Sequence, residues 1–338
     1  MSYPSEIKYI TLAQIIGCGL VILGHSYPFV SEIPEYANVF RDFLYTFHMP
    51  LFVWCSGFLF AHTMQSTRKT FRQYLCQRAS RLLIPYFALS LIGLLPKIMA
   101  SSVLNDNLEL NAIQIVRAFL VPRECVWGHF WFLPMIFWLG LLCFIADKII
   151  KSAKGWIVLT LIAFGLSFIK LDCLQWLGCN DVLAFFVFFC IGVVCRKYEL
   201  EEINKRSNSV AVVVLGIMAS LVLYLMVHGN FSVIHIRNTI IAVLMISSIV
   251  QLCRLFENKI IVTRNSLIAQ TYQVFILSWP CQLVAGIIVE RILHWSWFVF
   301  IPIVFVTGIL MPLLLIITVD FFERKTDTRF LSLILGRS

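Results

Sequence analysis

Long apolar runs alternate with short polar breaks along almost the whole chain. Ten of these runs are long enough to cross a bilayer as helices, since about 20 apolar residues span the hydrocarbon core. The pattern therefore predicts an all-α, polytopic membrane protein with about ten transmembrane helices. The predicted spans lie at roughly 9–30, 43–64, 82–100, 130–147, 155–171, 181–195, 209–228, 235–253, 267–289 and 297–321.

The composition supports this fold class. The 338 residues are 60% hydrophobic and 13% charged, and the mean hydropathy is +0.87. A soluble core cannot absorb so much apolar sequence. We therefore expect a single membrane-embedded domain over 1–338, with no appended soluble domain. The longest break contains an amphipathic segment from Leu110 to Leu120, which we expect to lie on the membrane surface or to cap a cavity.

The positive charges fall mostly on one side of the predicted topology. With the N-terminus inside, the inner segments hold 20 of the 27 Lys and Arg residues and the outer segments hold seven. Because cytoplasmic loops are enriched in basic residues, this bias predicts that both termini are cytoplasmic. Membrane orientation thus accounts for the net charge of +9, and we expect no nucleic-acid partner.

The cysteines and the known short motifs narrow the chemistry further. The eleven cysteines are scattered through apolar runs without metal-ligand spacing, so we expect no metal site. Cys173 and Cys179 flank a short loop predicted to lie outside, where a disulfide could form in an oxidising compartment. No Walker A, GxGxxG, GxSxG or HExxH sequence occurs, so ATP-driven transport, dinucleotide chemistry, elbow hydrolases and zincins have no support.

Three of the seven histidines are predicted to lie near the outer face. His25 is near the outer end of the first predicted helix, and His48 lies about five residues into the second. Their rings should therefore meet at one depth, while His129 begins the fourth helix. A polar ring at membrane depth is by default a functional-site hypothesis. The alternatives are helix packing for His48 and a place in the interfacial aromatic belt for His129.

A basic cluster that includes Arg72, Arg78 and Arg81 lies where the third helix begins. Arg78 and Arg81 are three residues apart and share one helical face. Guanidinium groups bind phosphate oxygens in pairs and stay charged at any relevant pH, so this spacing suits a bound phosphate. Orientation charge combined with lipid headgroup contact is the alternative interpretation.

The ninth predicted helix carries a polar stripe. Thr271, Ser278 and Gln282 fall on one face of an otherwise apolar segment. Such a stripe either joins helices or lines a substrate path. We predict that Ser278 and Gln282 bind substrate, together with His129 and Trp131 at the start of the fourth helix.

Four segments of the chain match one family pattern in order and spacing: Val21 to Ser26, Phe47 to Phe52 with Ser56 and Gly57, Arg78 to Arg81 followed by Leu82 to Tyr86, and His129 to Leu133. Together they resemble the integral-membrane acyltransferase family 3. The resemblance covers essentially the whole chain and includes the ten-helix frame. The combination is specific, although each segment alone is weak.

The resemblance implies an activity and two sets of site residues. Such proteins take an acyl group, often acetyl, from cytoplasmic acyl-CoA and place it on a hydroxyl of a surface or envelope glycan. His25 matches the family's catalytic histidine, and Arg78 with Arg81 matches its RxxR motif, which is associated with the donor. Two departures suggest a subgroup nearer the sugar O-acetyltransferases: Gln14 stands where many members have arginine, and the run 275–280 lacks a histidine that is frequent there.

These observations predict a membrane O-acyltransferase in a bacterial inner membrane, with acyl-CoA, an envelope carbohydrate and membrane lipid as partners and with no metal. His25 would be the general base, and His48 would orient it or stabilise the oxyanion. Direct transfer and an acyl-histidine intermediate both remain open. The alternative function is a transporter or a lipid-handling protein that uses the histidines as a proton relay. Against it, corresponding halves of the chain show no Gly/Pro-interrupted helices.

Overall fold

The computed structural model describes residues 7–27, 33–66, 69–104, 112–125, 127–198, 209–258, 270–292 and 296–337. Within these ranges the chain is helical and contains no strand. The α-helices are α1 Lys8–Gly24, α2 Glu35–Ser66, α3 Phe71–Leu104, α4 Ala112–Leu120, α5 Phe132–Ile149, α6 Ala153–Leu166, α7 Cys179–Lys197, α8 Ser209–Met226, α9 Phe231–Phe256, α10 Thr271–Ile287, α11 Trp297–Thr326 and α12 Phe330–Ile334.

Short helices of other types connect several of these elements. Among the described residues, 3-10 turns lie at Pro122–Glu124, Asp172–Leu174 and Trp176–Gly178. A π-helical turn, Ile288–Ile292, continues directly from α10. Turns of the 3-10 type are common as connectors and at helix ends, whereas π-helical turns are rare.

Six helices in the described part of the chain are long and apolar enough to cross a membrane: α2, α5, α7 with its preceding turn, α9, α10 and α11. Three further apolar helices, α1, α6 and α8, are shorter. Each of the ten predicted apolar runs falls on a helix, and the amphipathic segment predicted from Leu110 becomes α4. The all-α fold class is thus confirmed, while ten spans and cytoplasmic termini stay predictions.

The helix ends differ from the ends of the apolar runs. Helix α2 begins at Glu35 and α3 at Phe71, well before their apolar runs start. Residues such as Arg, Gln and Leu are good helix formers, so a helix continues into polar sequence that hydropathy does not mark. Helix α1 ends earlier than predicted, at Gly24.

The first of two compact units comprises Met1–Thr67 and Phe188–Leu314. Helix α2 packs there against α1 and α9, α1 also packs against α9 and α10, and α8 packs against α9. The apolar window of α2 is 78% buried, whereas that of α11 is only 33% buried. Helix α2 is therefore central, and α11 exposes apolar side chains such as Leu310 and Met311, as expected of a helix that faces lipid.

The second unit comprises Arg68–Val187 and Leu315–Ser338. Helix α3 packs there against α5 and α12. Two aromatic side chains, the buried Tyr86 and the half-buried Trp127, join α3 to the segment before α5. The Tyr86 hydroxyl donates to the carbonyl of Phe119 (3.0 Å), and the Trp127 indole donates to a carbonyl of α3 (2.9 Å). All eleven cysteines are free thiols, so no disulfide joins Cys173 and Cys179.

Candidate active site

The two histidines predicted at one depth, His25 and His48, both contact the ring of Tyr45. His25 directly follows α1, and its ring centroid lies 6.2 Å from that of Tyr45. Tyr45 and His48 lie one turn apart on α2, with their centroids separated by 5.1 Å. Trp279 of α10 meets the His25 ring edge to face at 5.1 Å. The first unit therefore gathers both histidines and two aromatic rings.

A backbone hydrogen bond determines which nitrogen of His48 is available. Nδ1 of His48 lies 2.7 Å from the carbonyl oxygen of Leu44, and the residue is only 4% exposed. A carbonyl oxygen only accepts hydrogen bonds, so Nδ1 must carry the proton. In the neutral ring Nε2 then holds the lone pair. Neutral His48 can therefore accept a hydrogen bond at Nε2 but cannot donate one from that atom.

The end of α1 is held by side chains from two other helices. The Tyr45 hydroxyl donates to the carbonyl of Gly24 (2.9 Å), and Nε2 of Gln282 donates to the carbonyl of Ile22 (2.8 Å). Nε2 of Gln282 also donates to Oγ of Ser26 (2.9 Å). The last carbonyls of a helix need such partners, above all in apolar surroundings. These bonds explain why α1 stops within the predicted run 9–30.

Of the three side chains in the polar stripe of α10, Gln282 is the one that bonds to α1. Thr271 accepts a hydrogen bond at its carbonyl from the thiol of Cys18 (3.5 Å). Ser278 donates to the carbonyl of Phe275 in its own helix (2.9 Å). Nε2 of Gln282 donates to the Ile22 carbonyl of α1 and to Oγ of Ser26 just after that helix. Its Oε1 is buried without a hydrogen-bond partner among the described residues. Only that oxygen of Gln282 is left to meet a substrate.

In the second unit, Arg78 is fixed by contacts with α3 and α5. Its Nε donates to the hydroxyl of Tyr74 (3.0 Å), and its guanidinium carbon lies 5.5 Å from the centre of that ring. Tyr74 stacks on Phe144 of α5, with centroids 4.8 Å apart. The absence of a side chain at Gly140 gives space for this arrangement, since a Cβ there would lie 2.6 Å from the guanidinium and 2.7 Å from the Tyr74 hydroxyl. The orientation of Arg78 is thus built into the packing of the two helices.

A second cation, Lys69, lies close to Arg78. Burial and, second, the charge of Arg78 lower the pKa of Lys69, so the two side chains are close enough to repel each other. Arg72 and Arg81 are exposed on α3. Guanidinium and ammonium groups bind phosphate oxygens strongly, and a bound anion relieves repulsion between them. The ligand class that these positive charges fit is therefore an anion.

His129 and Trp131, predicted to bind substrate, belong to the second unit. His129 is 3% exposed and contacts Phe130 edge to face at 4.6 Å. Trp131 contacts the Arg123 guanidinium, 4.3 Å from its ring centre, and the ring of Phe185 at 5.4 Å. A sugar that stacks on Trp131 would compete with these two neighbours for its ring.

Two tyrosines of these sites were not predicted. Tyr45 lies three residues before His48, and Tyr74 lies four residues before Arg78. Both spacings place the two side chains on one face of a helix, which is the signal that could have identified them. The role of Gly140 carries no such signal, because it depends on a contact between α3 and α5.

The model of the acyltransferase 3 family, described as an acyltransferase domain, matches residues 7–317. The chain belongs to this family and is a multi-pass membrane acyltransferase. No curated protein and no solved structure matches it.

Proposed function

We propose that this protein transfers an acyl group, acetyl in the first instance, from cytoplasmic acyl-CoA to a hydroxyl of an extracytoplasmic envelope glycan. The observation that carries the proposal is that His25 and His48 both contact the ring of Tyr45 in a chain of the acyltransferase 3 family. The proposal includes ten membrane-spanning helices, both termini in the cytoplasm and a bacterial inner membrane as the location.

His25 acts in this proposal as the general base. Its neutral ring takes the proton from the acceptor hydroxyl while that oxygen attacks the carbonyl carbon of the thioester. The C–O bond forms, the C–S bond breaks, and the proton passes from the imidazolium to the departing CoA sulfur. The products are the glycan ester and free CoA, and the base returns to its neutral form.

His48 orients His25. Since its Nδ1–H is bonded to the Leu44 carbonyl, the neutral ring offers Nε2 as an acceptor. An acceptor can hold an N–H of His25 and so fix the tautomer of the base, in the way that a third group orients the base in other acyl-transfer enzymes. Stabilising an oxyanion from Nε2 would require a protonated His48, so orientation is the role that the neutral ring fits.

The acyl-CoA phosphates bind to the cations at the start of α3. Arg78 is pre-oriented by Tyr74, and Lys69 lies close to it. A guanidinium held in place loses less freedom when it binds a phosphate than a free one does. Arg72 and Arg81, which are exposed, supply further charge to the same anion.

The acceptor glycan is expected to meet Gln282 through Oε1, its buried and unpartnered atom, and Ser278 on the same face of α10. In the second unit, His129 and Trp131 are the proposed carbohydrate contacts. Arg123, whose guanidinium covers Trp131, is bonded to the Asp181 carboxylate (2.9 Å). Sugar contacts at Trp131 therefore use the edge of the ring unless this pair moves.

The test of the proposed function is donor turnover. Membrane vesicles that contain the protein, given acetyl-CoA labelled in its acetyl group, should release free CoA thiol and leave alkali-labile label in the envelope polysaccharide fraction. Vesicles with His25→Ala should do neither. If wild-type vesicles move labelled glycan or lipid across the membrane without releasing CoA from any acyl-CoA offered, the protein is a transporter and the proposal fails.

Replacing Arg78 by lysine should weaken acyl-CoA binding while the protein still inserts and folds. The positive charge is kept, but a point-charge ammonium cannot reproduce the two parallel bonds of a guanidinium. Hydrogen bonds to charged groups contribute about 1.5–3 kcal/mol, or roughly 10- to 100-fold in affinity. Titration of the purified protein with acetyl-CoA measures the change, and Arg81→Lys should act in the same direction.

The matched control is Arg324→Lys, which alters an exposed arginine of the same unit outside the cluster. Its donor affinity should equal that of the wild type. Tyr74→Phe removes the hydroxyl that accepts from Arg78 and should lower donor affinity by a smaller factor. Wild-type affinity in both Arg78→Lys and Arg81→Lys would leave membrane orientation as the role of these charges.

A further inference from the structure

The end of α1 is tied to α2 and to α10 by one side chain each, and both ties flank His25. We propose that Tyr45 and Gln282 are positioning residues that set the location of His25 for proton transfer. The inference rests on the proposed role of His25 as the base. Neither residue needs to touch the reacting atoms, since both act through the backbone that carries His25.

Tyr45 holds the residue immediately before His25. Its hydroxyl donates to the Gly24 carbonyl at 2.9 Å, and its ring contacts the rings of both His25 and His48. The hydroxyl and the ring thus have separate functions. Replacing Tyr45 by phenylalanine removes the backbone bond and leaves an aromatic ring beside both histidines.

Gln282 binds the chain on both sides of His25. Its Nε2 donates to the Ile22 carbonyl at 2.8 Å and to Oγ of Ser26, the residue immediately after His25, at 2.9 Å. Oγ of Ser26 donates in turn to the same Ile22 carbonyl at 2.8 Å. One amide group therefore bridges the last turn of α1 and the residue that follows the base.

The fit of Gln282 depends on a glycine of α11. A Cβ at Gly308 would lie 2.7 Å from Cγ of Gln282 and 2.7 Å from a methyl carbon of Ile22. Gln282 itself is 1% exposed. The side chain therefore lies in a slot formed by three helices, which restricts its rotamers and makes its two bonds directional.

The same segment of α10 fixes both the backbone and the ring of His25. Trp279 lies three residues before Gln282, so the two side chains share a helical face, and the Trp279 ring meets the His25 ring at 5.1 Å. The backbone amide of His25 still bonds to Val21 (3.0 Å). Losing the bonds from Tyr45 and Gln282 would loosen the backbone that carries the base, and a 1 Å misplacement of a reacting group can cost about 10²-fold in rate.

The test compares Tyr45→Phe and Gln282→Met with the controls Tyr36→Phe and Gln65→Met, which change exposed residues of α2. We expect kcat to fall roughly 10- to 100-fold in each test variant, with KM for acetyl-CoA unchanged. Neither control should change kcat. Because both ties hold one backbone segment, the double variant should lose less than the product of the single losses. Gly308→Ala should resemble Gln282→Met.

A spectroscopic readout separates this inference from the proposed function. In protein labelled with ¹⁵N-histidine in nanodiscs, the His25 ring resonances are those lost in His25→Gln. They should shift in Tyr45→Phe and Gln282→Met and stay constant in the two controls. Unchanged His25 resonances, or kcat losses equal to those of the controls, overturn the inference. A wild-type protein without acyl transfer overturns the proposed function, while the resonances still decide whether Tyr45 and Gln282 position the ring.

Discussion

Replacing His25 by alanine is expected to lower kcat/KM for acyl transfer by roughly 10²- to 10⁴-fold, the usual contribution of a general base. Protein abundance and acyl-CoA binding should stay near the wild-type values, because the donor phosphates bind to other residues in the proposed mechanism. His25→Gln should behave in the same way. It keeps a polar side chain of similar length but has no group that takes up a proton near neutral pH.

The pH dependence of kcat/KM identifies which ring is the base. A histidine that must be neutral loses activity as the pH falls through its pKa, so the wild-type profile should have an acidic limb. The residual activity of His25→Gln should lack that limb. His48→Gln should lower kcat and keep the limb, since in the proposal His48 orients the base and does not take the acceptor proton.

Two outcomes would contradict this assignment. If the acidic limb persists in His25→Gln, His25 is not the titrating base. If His48→Gln removes the limb and His25→Gln does not, Nε2 of His48, which the Leu44 bond leaves as an acceptor, is the base. In either case the proposed roles of the two rings must be revised.

The fold could be predicted from the sequence because hydropathy reports directly on helices in a membrane protein. Each predicted apolar run contains a helix. The helix ends could not be predicted from hydropathy, because they depend on contacts between distant residues. Helix α1 ends at Gly24, where Tyr45 and Gln282 donate hydrogen bonds to its last carbonyls, and residues 22 and 282 are 260 positions apart.

The candidate site could be predicted from the sequence to a similar extent. The placement of His25 and His48 at similar depth follows from the direction of the apolar runs 9–30 and 43–64, since each histidine lies near the same end of its run, although α2 itself begins earlier, at Glu35. The available nitrogen of His48 and the orientation of Arg78 do not follow from spacing. They depend on a carbonyl of the preceding turn and on a hydroxyl that Gly140 leaves room for.

Replacing Gly57 by alanine is expected to destabilise the first unit more than enlarging a side chain in its core usually does. Gly57 of α2 lies against α7, where an added Cβ would be 2.1 Å from the carbonyl oxygen of Phe189. Gly192 of α7 makes the reciprocal contact, with a Cβ 2.2 Å from the carbonyl oxygen of Trp54. In both cases the added Cβ clashes with backbone of the facing helix, which cannot change rotamer as a side chain can. The two helices must therefore separate.

Separation is costly because helix association in a bilayer depends on close van der Waals packing. Each of Gly57→Ala and Gly192→Ala should therefore lower the free energy of unfolding by more than the ~1–3 kcal/mol of side-chain overpacking. Thermal unfolding of the purified protein, monitored by size-exclusion chromatography, measures the loss of stability relative to the wild type. The double variant should lose less than the sum, since one separation relieves both clashes.

The control for this change is Gly19→Ala in α1, where no heavy atom lies within 4 Å of the added Cβ. Alanine there removes the helix penalty of glycine, about 0.5–1 kcal/mol, so the control should be slightly more stable than the wild type. A Gly57→Ala protein as stable as Gly19→Ala would mean that α2 and α7 do not pack this closely. Glycine to alanine is thus expected to lower the free energy of unfolding at position 57 and to raise it at position 19. This difference separates the effect of the contact between the helices from any general effect of losing a glycine.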